Sequence, residues 1–111
     1  MVRVKYSDES IRDLEEIGDY IAEQLGSPKA ALNTVSKIQD TIDRLNDFPL
    51  MGARLLSIVE IETDYRFLVC GNHLAFYRPM GEKILIDRIL YGKRDYIAIL
   101  FDALPRKEGD F

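Results

Sequence analysis

Arginines and tyrosines gather in the second half of this chain in a pattern that could do chemistry. Arg66 opens one apolar, strand-like run; Arg88 lies near the end of another, and Arg94 comes just beyond it. Tyr65, Tyr77, Tyr91 and Tyr96 lie close to them in sequence. A guanidinium is suited to planar, two-pronged capture of a phosphate or a carboxylate. Aromatic faces beside guanidiniums are what stacked bases require. The stretch "ILYGKRDY" (89–96) condenses the pattern: an apolar run stops at Gly92, Lys93 and Arg94 follow, and Tyr91 and Tyr96 flank them. Such a corner at the lip of a sheet fits an anion, either a phosphate on RNA or a carboxylate on a partner. The competing reading is a solvated strand end.

Each residue also has a structural reading. Arg88 sits among apolar residues after Asp87, so pairing with an acid across the sheet is the simpler role for it. Arg66, at a strand start, is open to either role. Arg94 favours function, because loops at sheet ends carry sites more often than strand interiors do. His73, beside a turn, reads as a surface residue. Cys70 reads as a small core side chain, since no base adjoins it. One Cys and one His exclude an internal disulfide and leave too few ligands for a zinc site, so neither metal nor cofactor is expected.

These residues sit on a chain of 111 residues, 47% hydrophobic and 31% charged, the balance of one globular domain. No apolar run approaches the ~20 residues of a membrane span, and the first residues lack a signal peptide's apolar middle, so a cytoplasmic protein without a membrane partner is expected. The net charge of −4 hides an asymmetry: residues 1–64 are net −6 and residues 65–96 net +3. That division suggests opposite electrostatic faces.

The elements that must position the arginines follow from periodicity. "VRVKY" (2–6) alternates as a half-buried strand does. Ser7 offers an N-cap, and Ile11, Leu14, Ile17, Ile21 and Leu25 form one stripe of a helix over 8–25 that Gly26 closes. Ser27 and Pro28 restart a second helix over 28–47, with Leu32, Val35, Ile38, Ile42 and Leu45 as its stripe. The short link makes the two an antiparallel hairpin. The period then changes to two, and strands are expected over 54–62, 65–70, 73–78 and 83–90. Gly71-Asn72 is a tight primed turn between the middle pair, and "PMGE" (79–82), with Gly81, is another turn before the last strand. The order β-α-α-β-β-β-β specifies an α+β fold, a mostly antiparallel sheet with the helical hairpin on one face. The other face is covered by "DYIAILF" (95–101), by the tail, or by another molecule. Neighbouring strands at 65–70 and 83–90 would let the arginines converge.

With these residues in place, the chain resembles the RelE/ParE toxins of bacterial type II toxin–antitoxin modules. "IRDLEEIGDYIAEQLGSPKAALNTVSKIQDTIDRLNDFPLMG" is similar to their helical hairpin, and "DYRFLVCGNHLAFYR" and "ILIDRILYGKRDY" to their strand block. The likeness covers residues 2–101. It implies one RelE/ParE-like toxin domain over 1–101 followed by a polar tail over 102–111.

The resemblance implies a growth-inhibiting toxin silenced by a cognate antitoxin. One branch cleaves mRNA in the ribosome; the other poisons DNA gyrase and is not a nuclease. Arg66 and Arg94 match the arginines that hold the scissile phosphate in the nuclease branch. A metal-independent nuclease also needs a base and an acid. Glu62 or Glu60 would serve as the base and Tyr96 or Lys93 as the acid. Contacts to nucleic acid would come from Arg66, Arg88, Tyr91, Lys93 and Arg94. The expected function is thus a ribosome-dependent mRNA endonuclease, with gyrase inhibition by binding alone as the alternative. The long helical hairpin and the lack of lysine in "SIVEIETD" lean towards the second branch. An acidic, amphipathic antitoxin segment is expected on the sheet's uncovered apolar face.

Overall fold

A computed structural model describes residues 2–55, 63–93 and 96–100. The fold is α+β. Strand β1 (Arg3–Tyr6) leads into helix α1 (Asp8–Leu25) and helix α2 (Pro28–Asp43), which ends in a single 3-10 turn, Arg44–Asn46. There follow β2 (Ala53–Arg54), β3 (Arg66–Cys70), β4 (His73–Met80), β5 (Lys83–Tyr91) and a short helix α3 (Tyr96–Leu100).

Local chemistry explains most of the boundaries. Ser7 caps α1 by accepting the Ser10 N–H at 3.0 Å, and Gly26 ends that helix in the left-handed conformation with φ 58°. Ser27 caps α2 through the Ala30 N–H, with Pro28 in the first turn. Gly71 and Gly81 each take a positive φ, 64° and 65°, at the first position of their two-residue turns. That is the glycine-first form of the hairpin turn, in which the backbone twist matches that of the strands.

The sheet order is β1-β5-β4-β3-β2. β1 joins β5 in parallel, with Arg3 opposite Lys83 and Lys5 opposite Leu85, and the other pairs are antiparallel. β3 and β5 are therefore not neighbours, so the condition under which their arginines would converge is not met: β4 hydrogen-bonds to both, because two tight turns in succession make a meander. Of the strand expected over 54–62, β2 holds the first residues, Leu55 continues the pairing through its N–H to the Tyr65 carbonyl, and 56–62 lie outside the described residues.

α1 packs over β5 and α2 over β3. The core between helices and sheet contains Leu14, Ile38, Ile42, Leu45, Leu68, Cys70, Ala75, Tyr77, Ile84, Ile86 and Ile89. On the opposite face Leu55, Tyr65, Phe76 and Leu90 form a second cluster against which Ile99 and Leu100 of α3 pack. Part of the "DYIAILF" stretch thus covers that face. The helical stripes are less complete than their spacing suggests: Ile11, Leu25 and Leu32 stay exposed, and Ala31 is buried instead of Leu32.

Candidate functional site

Arg66 lies at the start of β3, on the face that carries Leu68 and Cys70 into the helical core. Its Nη1 donates to the carbonyls of Gly52 at 2.8 Å and Leu50 at 3.3 Å. The Tyr77 hydroxyl meets the same loop, donating to the Pro49 carbonyl at 3.1 Å and accepting the Gly52 N–H at 3.0 Å. Gly52 is necessary at this crossing, since a Cβ there would lie 2.6 Å from both the Phe67 carbonyl and the Tyr77 hydroxyl. The "PLMG" loop on one side and Arg66 and Tyr77 on the other therefore form one joint. Arg66 remains half-buried, with one terminal nitrogen committed to main-chain oxygens.

Arg88 has a different anchor. A bulge between β4 and β5 pairs Phe76 with Arg88 and Tyr77 with Ile86, leaving Asp87 without a partner on β4. The extra residue resets the alternation, so both Arg88 and Ile89 turn towards the helices. The Arg88 guanidinium makes two 2.8 Å bonds to the Asp13 carboxylate of α1, which also accepts the Ile89 N–H at 2.9 Å. The carboxylate raises the already high arginine pKa, against the effect of partial burial. Ser7 adds two more ties, from its N–H to the Ile86 carbonyl and from its hydroxyl to the Asp87 carbonyl. Asp13 belongs to no motif in the sequence. Its place on the flank of the α1 stripe, beside Leu14, was the one available signal.

At the far end of β5, Tyr91 pairs with His73, which pairs in turn with Cys70. Tyr91 and Lys93 are exposed, and the Gly92 N–H closes the corner on the Asn72 carbonyl at 2.9 Å. Arg66 pairs with Tyr77 and so lies four rungs away, about 13 Å along the strands. The meander thus puts Arg66 and the Tyr91–Lys93 corner at opposite ends of the sheet. Tyr96 begins α3, but its side chain, like Glu60, Glu62 and Arg94, lies outside the described residues.

A cleft of about 970 Å³ opens between the helical hairpin and this corner, with Ile17, Tyr20, Ile38, Cys70, His73 and Tyr91 among its walls. His73 meets the Tyr91 ring edge-on at 5.8 Å, and burial lowers its pKa, so the neutral imidazole prevails at pH 7. Burial pushes the Cys70 thiol up to about 11, far from a thiolate. Among the described residues, the cleft can bind an apolar surface but assembles no activated nucleophile.

Residues 4–96 match the family model described as the ParE toxin of type II toxin–antitoxin system, parDE. This chain belongs to the ParE toxin family. The ParE fold extends the likeness to solved structures: a chain of the chromosomal ParDE TA system from P. aeruginosa superposes with a TM-score of 0.71 at 28% identity, over 82% of this chain and 96% of that one. No curated protein matches it significantly. For a ParE toxin the joint at Arg66 and the staple at Arg88 are parts of the scaffold, whatever further contacts those arginines make. Among the described residues no helix is long and apolar enough to cross a membrane.

Proposed function

We propose that this ParE-family chain is the toxin of a two-protein module, held silent by a cognate antitoxin, and that it inhibits DNA gyrase by binding without catalysing a reaction. The observation that carries the reading is the family match across residues 4–96, which is to the ParE branch. The geometry supports a binding mode in two ways. Arg66, one of the two phosphate ligands of the nuclease reading, commits one terminal nitrogen to the Gly52 and Leu50 carbonyls, and Arg88, one of its nucleic-acid contacts, is bound to the Asp13 carboxylate. The cleft at the Tyr91 corner combines an apolar and aromatic floor, Ile17, Tyr20, Ile38 and Tyr91 among it, with charged side chains of the helices such as Glu16, Lys37 and Asp40, and it holds a protonated thiol and a neutral imidazole.

The test uses the full chain. Purified protein is added to a gyrase supercoiling reaction and, separately, to a coupled translation reaction containing ribosomes. Lost supercoiling with intact translation and intact mRNA is the expected result. Cleaved mRNA with normal supercoiling would overturn the proposal and restore the ribosome-dependent endonuclease.

A further inference from the structure

On the sheet face opposite the helical hairpin, cations from three strands come into register. Val2, Val4 and Tyr6 pack into the helix-side core, so Arg3 and Lys5 point the other way. Ile84 and Ile86 do the same for Lys83, and Tyr77 for Arg78. The register places Arg3 beside Lys83, and Lys5 beside Leu85, which lies beside Arg78. With strands ~4.8 Å apart, four cations occupy a strip about 10 Å wide at the β1 edge of the sheet.

Like charges facing each other across strands oppose folding, and ordinarily an acid is interleaved. Here none of the four forms an ion pair with a described residue; the ion pairs among those residues are Arg12–Glu9 and Arg88–Asp13. Asp87, the acid on this face, is taken up by the Tyr65 hydroxyl. Glu82, in the turn before Lys83, gives its main-chain carbonyl to the Arg3 N–H. Arg78 lies over the Tyr65 ring, 5.1 Å from its centroid, and its Nε is buried without a hydrogen-bond partner. A guanidinium held on an aromatic face beside three exposed cations is already positioned for an anion.

We infer that Arg3, Lys5, Arg78 and Lys83 form a recognition surface for an acidic segment of a protein partner. A peptide fits better than a nucleic acid. The one aromatic ring in the strip, Tyr65, is buried beneath Arg78, so no platform remains for stacking bases. The strip is short, and the chain around it is net −4, so it lacks the long positive field that phosphate backbones follow. β1 is also an edge strand, with no second strand paired to it among the described residues. An extended segment can add there by main-chain hydrogen bonds while its carboxylates meet Arg3 and Lys5. The identification of that partner with the antitoxin rests on the toxin reading above; the cationic strip does not.

A short poly-glutamate peptide serves as the probe, with an oligonucleotide of equal charge as comparison, both titrated into the full chain and followed by amide NMR shifts. The peptide is expected to perturb β1 and the start of β5, with affinity that weakens as salt rises. The double reversal Lys5→Glu/Lys83→Glu should cost about tenfold in affinity. Reversing Arg12 and Lys37 on the helices should leave binding unchanged, which separates local recognition from net charge. Equal binding by the Lys5/Lys83 variant, shifts centred on Tyr91 and Lys93, or tighter binding of the oligonucleotide to the same strip would each overturn the inference. The supercoiling reaction with wild-type protein separates the two proposals: no inhibition there sinks the gyrase reading and leaves the peptide result standing.

Discussion

At the residue scale, Gly52 is the most closely packed of the described glycines. Its position under the Tyr77 hydroxyl and against the Phe67 carbonyl leaves no room for a methyl group. Gly52→Ala should destabilise the fold by about 1–3 kcal/mol, as overpacking does, measured by chemical denaturation. His73 offers a second test. Its folded pKa lies below the ordinary value of about 6.5 because burial disfavours the imidazolium. Between the two values the unfolded chain binds more protons, so stability is full above about pH 6.5 and falls as pH drops through the folded value. His73→Gln should remove that part of the stability difference between mildly acidic and neutral denaturation curves. An unchanged acid dependence in the variant would exclude His73 as its source.

At the element scale, α1 is fastened to the β5 bulge by its cap and by one buried carboxylate. Asp13 is 6% exposed and satisfies both the Arg88 guanidinium and the Ile89 N–H that the bulge frees from the ladder. Asp13→Ala leaves a partly buried cation and a buried donor unpaired, at a cost of about 3–5 kcal/mol. Adding Arg88→Met should recover a substantial part of that loss, because the unpaired charge goes with it. A double-mutant cycle measures the coupling. Ser7→Ala should cost about 1 kcal/mol as a lost cap, and somewhat more through its bond to the Asp87 carbonyl.

At the scale of the whole molecule, Arg66 joins the two halves of the chain by holding the loop after the helices to the sheet. If this tie is structural, Arg66→Lys should lower stability by about 1 kcal/mol, since an ammonium cannot reproduce the planar donor geometry, and leave the proposed inhibition of supercoiling per folded molecule unchanged. Supercoiling titrations normalised to the folded fraction check this. A large loss of activity in a fully folded variant would return Arg66 to a direct role.

The helices, their caps, the two glycine turns and the mostly antiparallel class can be read directly from the order of residues, because each depends on residues within a turn or a few positions of one another. Ser7, Ser27, Gly26, Gly71 and Gly81 act locally and were legible for that reason. Strand order, and with it the company each arginine keeps, was decided only by tertiary structure. Asp13 meets Arg88 across 75 positions, and a bulge had to turn Arg88 towards it. Arg66 met carbonyls that no side-chain pattern reveals. The charge halves of the sequence mixed as well: Arg3 and Lys5, from the acidic half, joined Arg78 and Lys83 because β1 closes parallel on β5. Pairing between distant segments is governed by how whole faces bury their apolar residues, and that balance is not written in any local stretch of chain.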